Sequence, residues 1–227
     1  MSGEIVKNIV KELRTLGKAE RKEKIAEYMK TSSLNFIGVE LPEIHRIVKR
    51  IIKGLGLGEL PSIMRALWMD ESFEIRLAAI DILKVYAKKG SIETALDLAD
   101  KWVSDADTWG LIDPLCSPTI GSMILRDERV EAVLRSWRVS DNFWRRRASV
   151  LPFLHLALKS QYKPEYNNKI LEAVTPHISD DEFFVGKAAG WVLRELSKRD
   201  PELIRSYYEK NQARMTKLVA REGSKKI

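Results

Sequence analysis

The feature that most constrains this chain is a short cassette that returns at intervals of 34 to 40 residues: an Asp, then an aromatic residue, then a cation among small residues. Asp70-Glu-Ser-Phe73-Glu-Ile-Arg76-Leu-Ala-Ala aligns with Asp141-Asn-Phe-Trp144-Arg-Arg-Arg147-Ala-Ser and with Asp181-Glu-Phe-Phe184-Val-Gly-Lys187-Ala-Ala. Asp107-Thr-Trp109-Gly-Leu-Ile-Asp113 falls between the first two, so the offsets from Arg76 to Asp113, Arg147 and Lys187 are 37, 34 and 40. That period is the one expected of HEAT-type helical repeats, in which each unit is a pair of helices.

The rest of the sequence agrees. Apolar residues recur at helical spacing, as in Ile5, Ile9 and Leu13, or Ile75, Ala79, Ile82 and Tyr86, and alternating strand patterns are scarce. Punctuation at Gly54 to Gly58, Gly90 and Pro201 ends helices of ordinary length. These patterns predict an all-α chain: one HEAT-like helical repeat domain over residues 1–227, a solenoid of about six helix pairs with a concave basic groove, closed by a short basic tail at 222–227. In such arrays equivalent positions form a row along the concave face, which here places Arg76, Asp113, Arg147 and Lys187 together. Phe73, Trp109, Trp144 and Phe184 open the same helices, and Trp191 lies one turn beyond Lys187.

Composition and charge narrow the function. No run approaches the ~20 apolar residues of a spanning helix, and the N-terminus lacks the apolar core of a secretory signal, so the expectation is a cytoplasmic protein without a membrane partner. The single Cys116 and three scattered histidines offer no metal-ligand spacing, and no cofactor signature is present; neither metal nor cofactor is expected. The net charge is +7, and residues 141–227 hold 17 Lys or Arg against 11 Asp or Glu. A local basic excess fits a polyanionic partner, nucleic acid first; a solvated lysine-rich surface accounts for it equally well.

Phosphate loops, zinc motifs and serine elbows are all missing. What remains is chemistry that needs a carboxylate and aromatic faces. Trp109 and Asp113 stand one helical turn apart on one face. An N-glycosidic bond breaks through an oxocarbenium-like sugar that a carboxylate stabilises, and cationic alkylated purines are held by indole faces through cation-π attraction of about 0.5–2 kcal/mol. On this reading Asp113 supplies the charge, Trp109 and Trp191 recognise the lesion, and Arg147 grips the backbone. Arg76, Lys187 and Arg146 add backbone contacts. The bland alternative makes Asp113 a surface acid or a partner of Arg147. An acid in a DNA groove repels phosphates, and catalysis would give it a reason to be there.

Several stretches carry a family resemblance: Glu27-Tyr28-Met29-Lys30, Phe36-Ile-Gly38-Val and Pro42; Leu67-Trp68 with Glu74-Ile-Arg76; Trp109 to Asp113; Phe143 to Ala148; and Phe184 to Glu195 with Asp200-Pro201. Over nearly its full length the chain resembles the AlkD-like DNA glycosylases of the DNA alkylation repair family. The resemblance implies removal of cationic N3- and N7-alkylated purines from duplex DNA by a monofunctional glycosylase. Asp113 would be the catalytic carboxylate, Trp109, Trp191 and Tyr28 the lesion contacts, and Arg147 the backbone grip. The base would not enter a tight pocket. The chain departs from the family at Gly110, where an acid commonly follows the Trp; members lacking the Asp have no glycosylase activity. A monomer is expected. The competing function is a non-catalytic HEAT-repeat module that binds DNA or acts as a scaffold.

Overall fold

The computed structural model describes residues 2–226. Its described residues are helical throughout, with one isolated bridge between Asn35 and Ser72 and no strand. The chain divides into two compact units, Met1–Leu115 and Cys116–Ile227. The first holds α1 (Ser2–Leu16), α2 (Ala19–Tyr28), α3 (Leu41–Ile51), α4 (Leu60–Trp68), α5 (Phe73–Tyr86), α6 (Ile92–Asp105) and α7 (Trp109–Pro114). The second holds α8 (Glu128–Trp137), α9 (Phe143–Val150), α10 (Leu154–Ala157), α11 (Asn167–Val174), α12 (Phe183–Ser197), α13 (Pro201–Asn211) and α14 (Lys217–Gly223), with 3₁₀ turns between several of them.

The recurring cassette marks helix starts, as expected, but its register differs by one residue from an alignment on the Asp residues. Four helices, α5, α7, α9 and α12, begin on aromatic residues, Phe73, Trp109, Phe143 and Phe183. Counted from these starts, Arg146 is the counterpart of Arg76, and the two make the same contact: Arg76 Nε donates to the Asp70 carbonyl at 2.9 Å and Arg146 Nη1 to the Ser140 carbonyl at 2.9 Å. Asp70, Ser140 and Asp180 likewise accept from the backbone N–H two residues on, at Ser72, Asn142 and Glu182, the local turn that precedes a helix N-terminus. By this count the counterpart of Asp113, Arg147 and Lys187 in α5 is Leu77, and Arg76 falls one place earlier.

The first unit is locked by two carboxylates that reach across repeats. Glu74, fully buried near the start of α5, accepts from the backbone N–H groups of Ile37 (2.9 Å), Gly38 (2.8 Å) and Val39 (3.3 Å). Gly38 has φ +91, and a Cβ there would lie 2.2 Å from the Lys18 carbonyl, so only glycine passes this point. Asp107, just ahead of α7, accepts from the hydroxyls of Ser32 (2.8 Å) and Ser33 (2.9 Å) and from the Ser33 N–H. The segment joining α2 to α3 is thereby tied to the starts of both α5 and α7.

In the second unit α12 packs on α9 and α14. Buried His177 meets Ser149 Oγ at 2.7 Å, and Ser149 donates to the Arg146 carbonyl at 2.8 Å. The stretch expected to be a basic tail from 222 starts inside the fold instead. Glu222 is 4% exposed on α14 and pairs with Lys187 and Arg194 (3.1 Å each), Lys225 (2.7 Å) and Arg221 (3.6 Å). The lysine bond and the neighbouring cations hold its carboxyl down at about 2.

Glu74→Ala should leave three backbone donors without an acceptor and cost about 3–5 kcal/mol in a denaturation midpoint. Burial lowers the His177 pKa to about 4. Between there and its ordinary value near 6.5 the unfolded chain binds more protons than the folded one. Stability should accordingly fall by about 3 kcal/mol on acidification through that window, and His177→Gln should flatten the dependence in urea melts at pH 7 and pH 4.

Candidate active site

Three of the residues singled out in the sequence meet at one cleft of the first unit, about 580 Å³ in volume, lined among others by Tyr28, Trp109 and Asp113. Tyr28 closes α2 and is 70% exposed. Its ring stands edge-on to Trp109, with centroids 5.1 Å apart at 88°, a favoured aromatic geometry. Trp109 and Asp113 are both half-buried.

Local chemistry fixes this placement. Thr108, in extended conformation, caps α7 by accepting from the Gly110 N–H at 3.3 Å, and its hydroxyl reaches Met29 Sδ at 3.4 Å. The helix is short because Pro114 supplies no N–H and the chain passes into a π-turn at Leu115–Thr119. Such turns concentrate at functional sites. Asp113 thus sits on the last full turn before the irregularity. At the family's departure point the structure gives a packing reason: a Cβ on Gly110 would lie 2.7 Å from Met29 Cε, 2.9 Å from Met29 Sδ and 2.9 Å from Phe73 Cζ. The thioether and the ring fill the space that a side chain at 110 would need.

The same cleft holds a pair that the sequence reading passed over. His45 Nδ1 and Asp81 Oδ2 are hydrogen-bonded across α3 and α5. Burial raises the Asp81 pKa, and the His45 bond opposes the rise. The signal was available: the two stand 36 residues apart, one repeat period. Leu77, the true counterpart of Asp113, also lines the cleft, as do the cations Arg21 and Lys24, which pair with Glu40 (3.1 Å) and Glu20 (2.5 Å).

The remaining predicted residues are engaged within the fold, several of them with the next repeat. Arg76 lies 5.0 Å from the Trp68 ring. Arg146 Nε pairs with Asp180 at 2.8 Å. Arg147, expected to grip the backbone, is 5% exposed and donates to the Phe184 carbonyl, anchoring the first turn of α12. Lys187 is held by Glu222, and Trp191 is half-buried one turn on. Of the helix-opening aromatics, Phe73 and Trp144 are core.

A family model described as DNA alkylation repair enzyme matches residues 9–227. The chain belongs to that family. Its fold is shared by a protein described as a predicted DNA alkylation repair enzyme from Enterococcus faecalis, with 24% identity, TM-score 0.78, and 92% of this chain and 95% of that one covered. AlkD2 from Streptococcus mutans is similar over 91% of this chain and 99% of its own, at 20% identity and TM-score 0.66. At such identities the likeness is one of fold. No curated protein matches the sequence. Family membership makes the Tyr28, Trp109 and Asp113 cleft the first place to look for repair chemistry.

Gly110→Ala should destabilise the chain by about 1–3 kcal/mol through overpacking. The same change in a Met29→Ala background should cost measurably less, a coupling that a double-mutant cycle reads directly.

Proposed function

We propose that the chain is a DNA repair glycosylase that hydrolyses the N-glycosidic bond of cationic N3- or N7-alkylated purines in duplex DNA. The observation that carries this reading is the meeting of a half-buried carboxylate, Asp113, with the edge-on Tyr28 and Trp109 rings at one cleft. Alkylation at N7 or N3 gives the purine a positive charge and makes it a good leaving group. As the bond to the sugar lengthens, positive charge moves onto the deoxyribose. A carboxylate fixed beside that charge is worth more in the transition state than in the ground state, the condition for acceleration. The aromatic faces favour a cationic base over its neutral parent by about 0.5–2 kcal/mol.

An open cleft suits this substrate. A cationic base leaves without protonation, so no acid need be placed against its ring. Arg21 and Lys24 on the cleft wall would offer cations for flanking phosphates on release from Glu40 and Glu20, and Arg147, Arg146 and Lys187 would likewise act on the backbone only by leaving their present partners. No helix among the described residues is long and apolar enough to cross a membrane. A monomer acting in the cytoplasm, without metal or cofactor, completes the proposal.

Incubation with a duplex carrying N7-methylguanine, followed by assay of free base, tests it. Release should fall by about 10²-fold or more in Asp113→Asn, which keeps shape and removes charge. Tight, salt-sensitive duplex binding with no release would instead make the chain a non-catalytic DNA-binding module.

A further inference from the structure

The first unit carries a second groove, also about 580 Å³, that the repair reading does not use. It lies between the C-terminal ends of α3 and α5, which pack on one another. Past α3, Gly54 takes φ +91 and turns the chain, so that Leu55 and Leu57 line the groove with Val48, Ile52, Leu60 and Val85. Leu57 and Val85 remain 41% and 46% exposed. Four lysines rim this aliphatic floor: Lys49 and Lys53 from the end of α3, Lys84 and Lys88 from the end of α5. Each pair is spaced i, i+4, and Lys49, Lys53 and Lys88 are exposed and make no ion pair with a carboxylate among the described residues.

Cations at helix C-termini are favoured by the helix dipole, which accounts for the lysines singly. It does not account for two exposed aliphatic side chains between two lysine rows. A duplex backbone has no use for an aliphatic floor. A single fatty carboxylate would engage one lysine and leave three. The complementary object is a helix with an apolar stripe and acids on both flanks.

We propose that this groove docks an acidic amphipathic helix of a partner protein, its leucine-type stripe on Leu57 and Val85 and its flanking carboxylates on the two lysine pairs. The groove adjoins the cleft of Asp113, sharing His45 and Asp81 with it, but Leu57, Val85 and the four lysines do not line that cleft, and the proposal rests on them alone.

A labelled helical peptide of about 15 residues, with leucines at i, i+3 and i+4 spacing and glutamates on both flanks, provides the probe in fluorescence anisotropy with the full chain. Binding should weaken at least about tenfold in Val85→Glu and in Lys49→Glu/Lys53→Glu, both at exposed positions, with circular dichroism confirming the fold. It should also weaken when the peptide leucines become serines. Equal binding of the serine peptide, or undiminished binding by the variants, would overturn the proposal. So would full displacement of the peptide by an undamaged duplex that binds Val85→Glu as well as the natural chain.

Discussion

The candidate site depends on a loop that has little structure of its own. Between α2 and α3 the backbone at 37–39 turns its N–H groups inward, where water cannot satisfy them, and each orphaned donor would cost about 1–3 kcal/mol. Glu74 answers all three with one carboxylate. Asp107 does the same office at Ser32 and Ser33, two residues before Trp109. Because these two acids sit at the starts of α5 and α7, the end of α2 is held against both helices. Tyr28 therefore meets Trp109 as a consequence of polar satisfaction behind it; a 5.1 Å aromatic contact worth about 1 kcal/mol could not order that loop unaided.

The same logic governs the cations. Arg76 and Arg146 fold back onto carbonyls six residues earlier, and Arg147 donates to the start of the next cassette. A guanidinium has five donors in a fixed fork, so it can tie successive helix starts where a lysine would supply one point charge. The basic excess of residues 141–227 is in part the cost of building repeats from short helices. Glu222 draws four of those charges together at α14, so net charge overstates what the surface offers to a polyanion.

The all-helical architecture was legible because apolar spacing and breakers act locally, and the cassette was legible because the four helices that carry it, α5, α7, α9 and α12, each start on an aromatic residue. The register was misread by one residue because Asp141 resembles Asp70 in letters while Ser140 resembles it in role: a hydroxyl can cap a turn as a carboxylate does. Glu74 was visible inside a matching stretch, yet its task spans 36 residues and no local pattern announces it. His45 and Asp81 had only their repeat-length spacing to mark them. That Trp109, Asp113 and Tyr28 line one cleft was legible for a different reason, since helical spacing relates the first two and the family pattern supplies the third.

The corrected register changes why Asp113 is of interest. In the first unit its row neighbour is Leu77, an aliphatic residue, so on that side the row through the acid is not cationic. It stands instead on a largely aliphatic and aromatic cleft, where a carboxylate is expensive to hold and a cation is correspondingly welcome. The Gly110 contacts point the same way. Giving up the side chain at 110 lets Met29 and Phe73 close beneath α7, lowering the local dielectric behind the carboxylate rather than adding a second acid beside it. A carboxylate in such a setting favours a partner that becomes positive during reaction, which is the property the proposed glycosidic cleavage has and a static phosphate lacks.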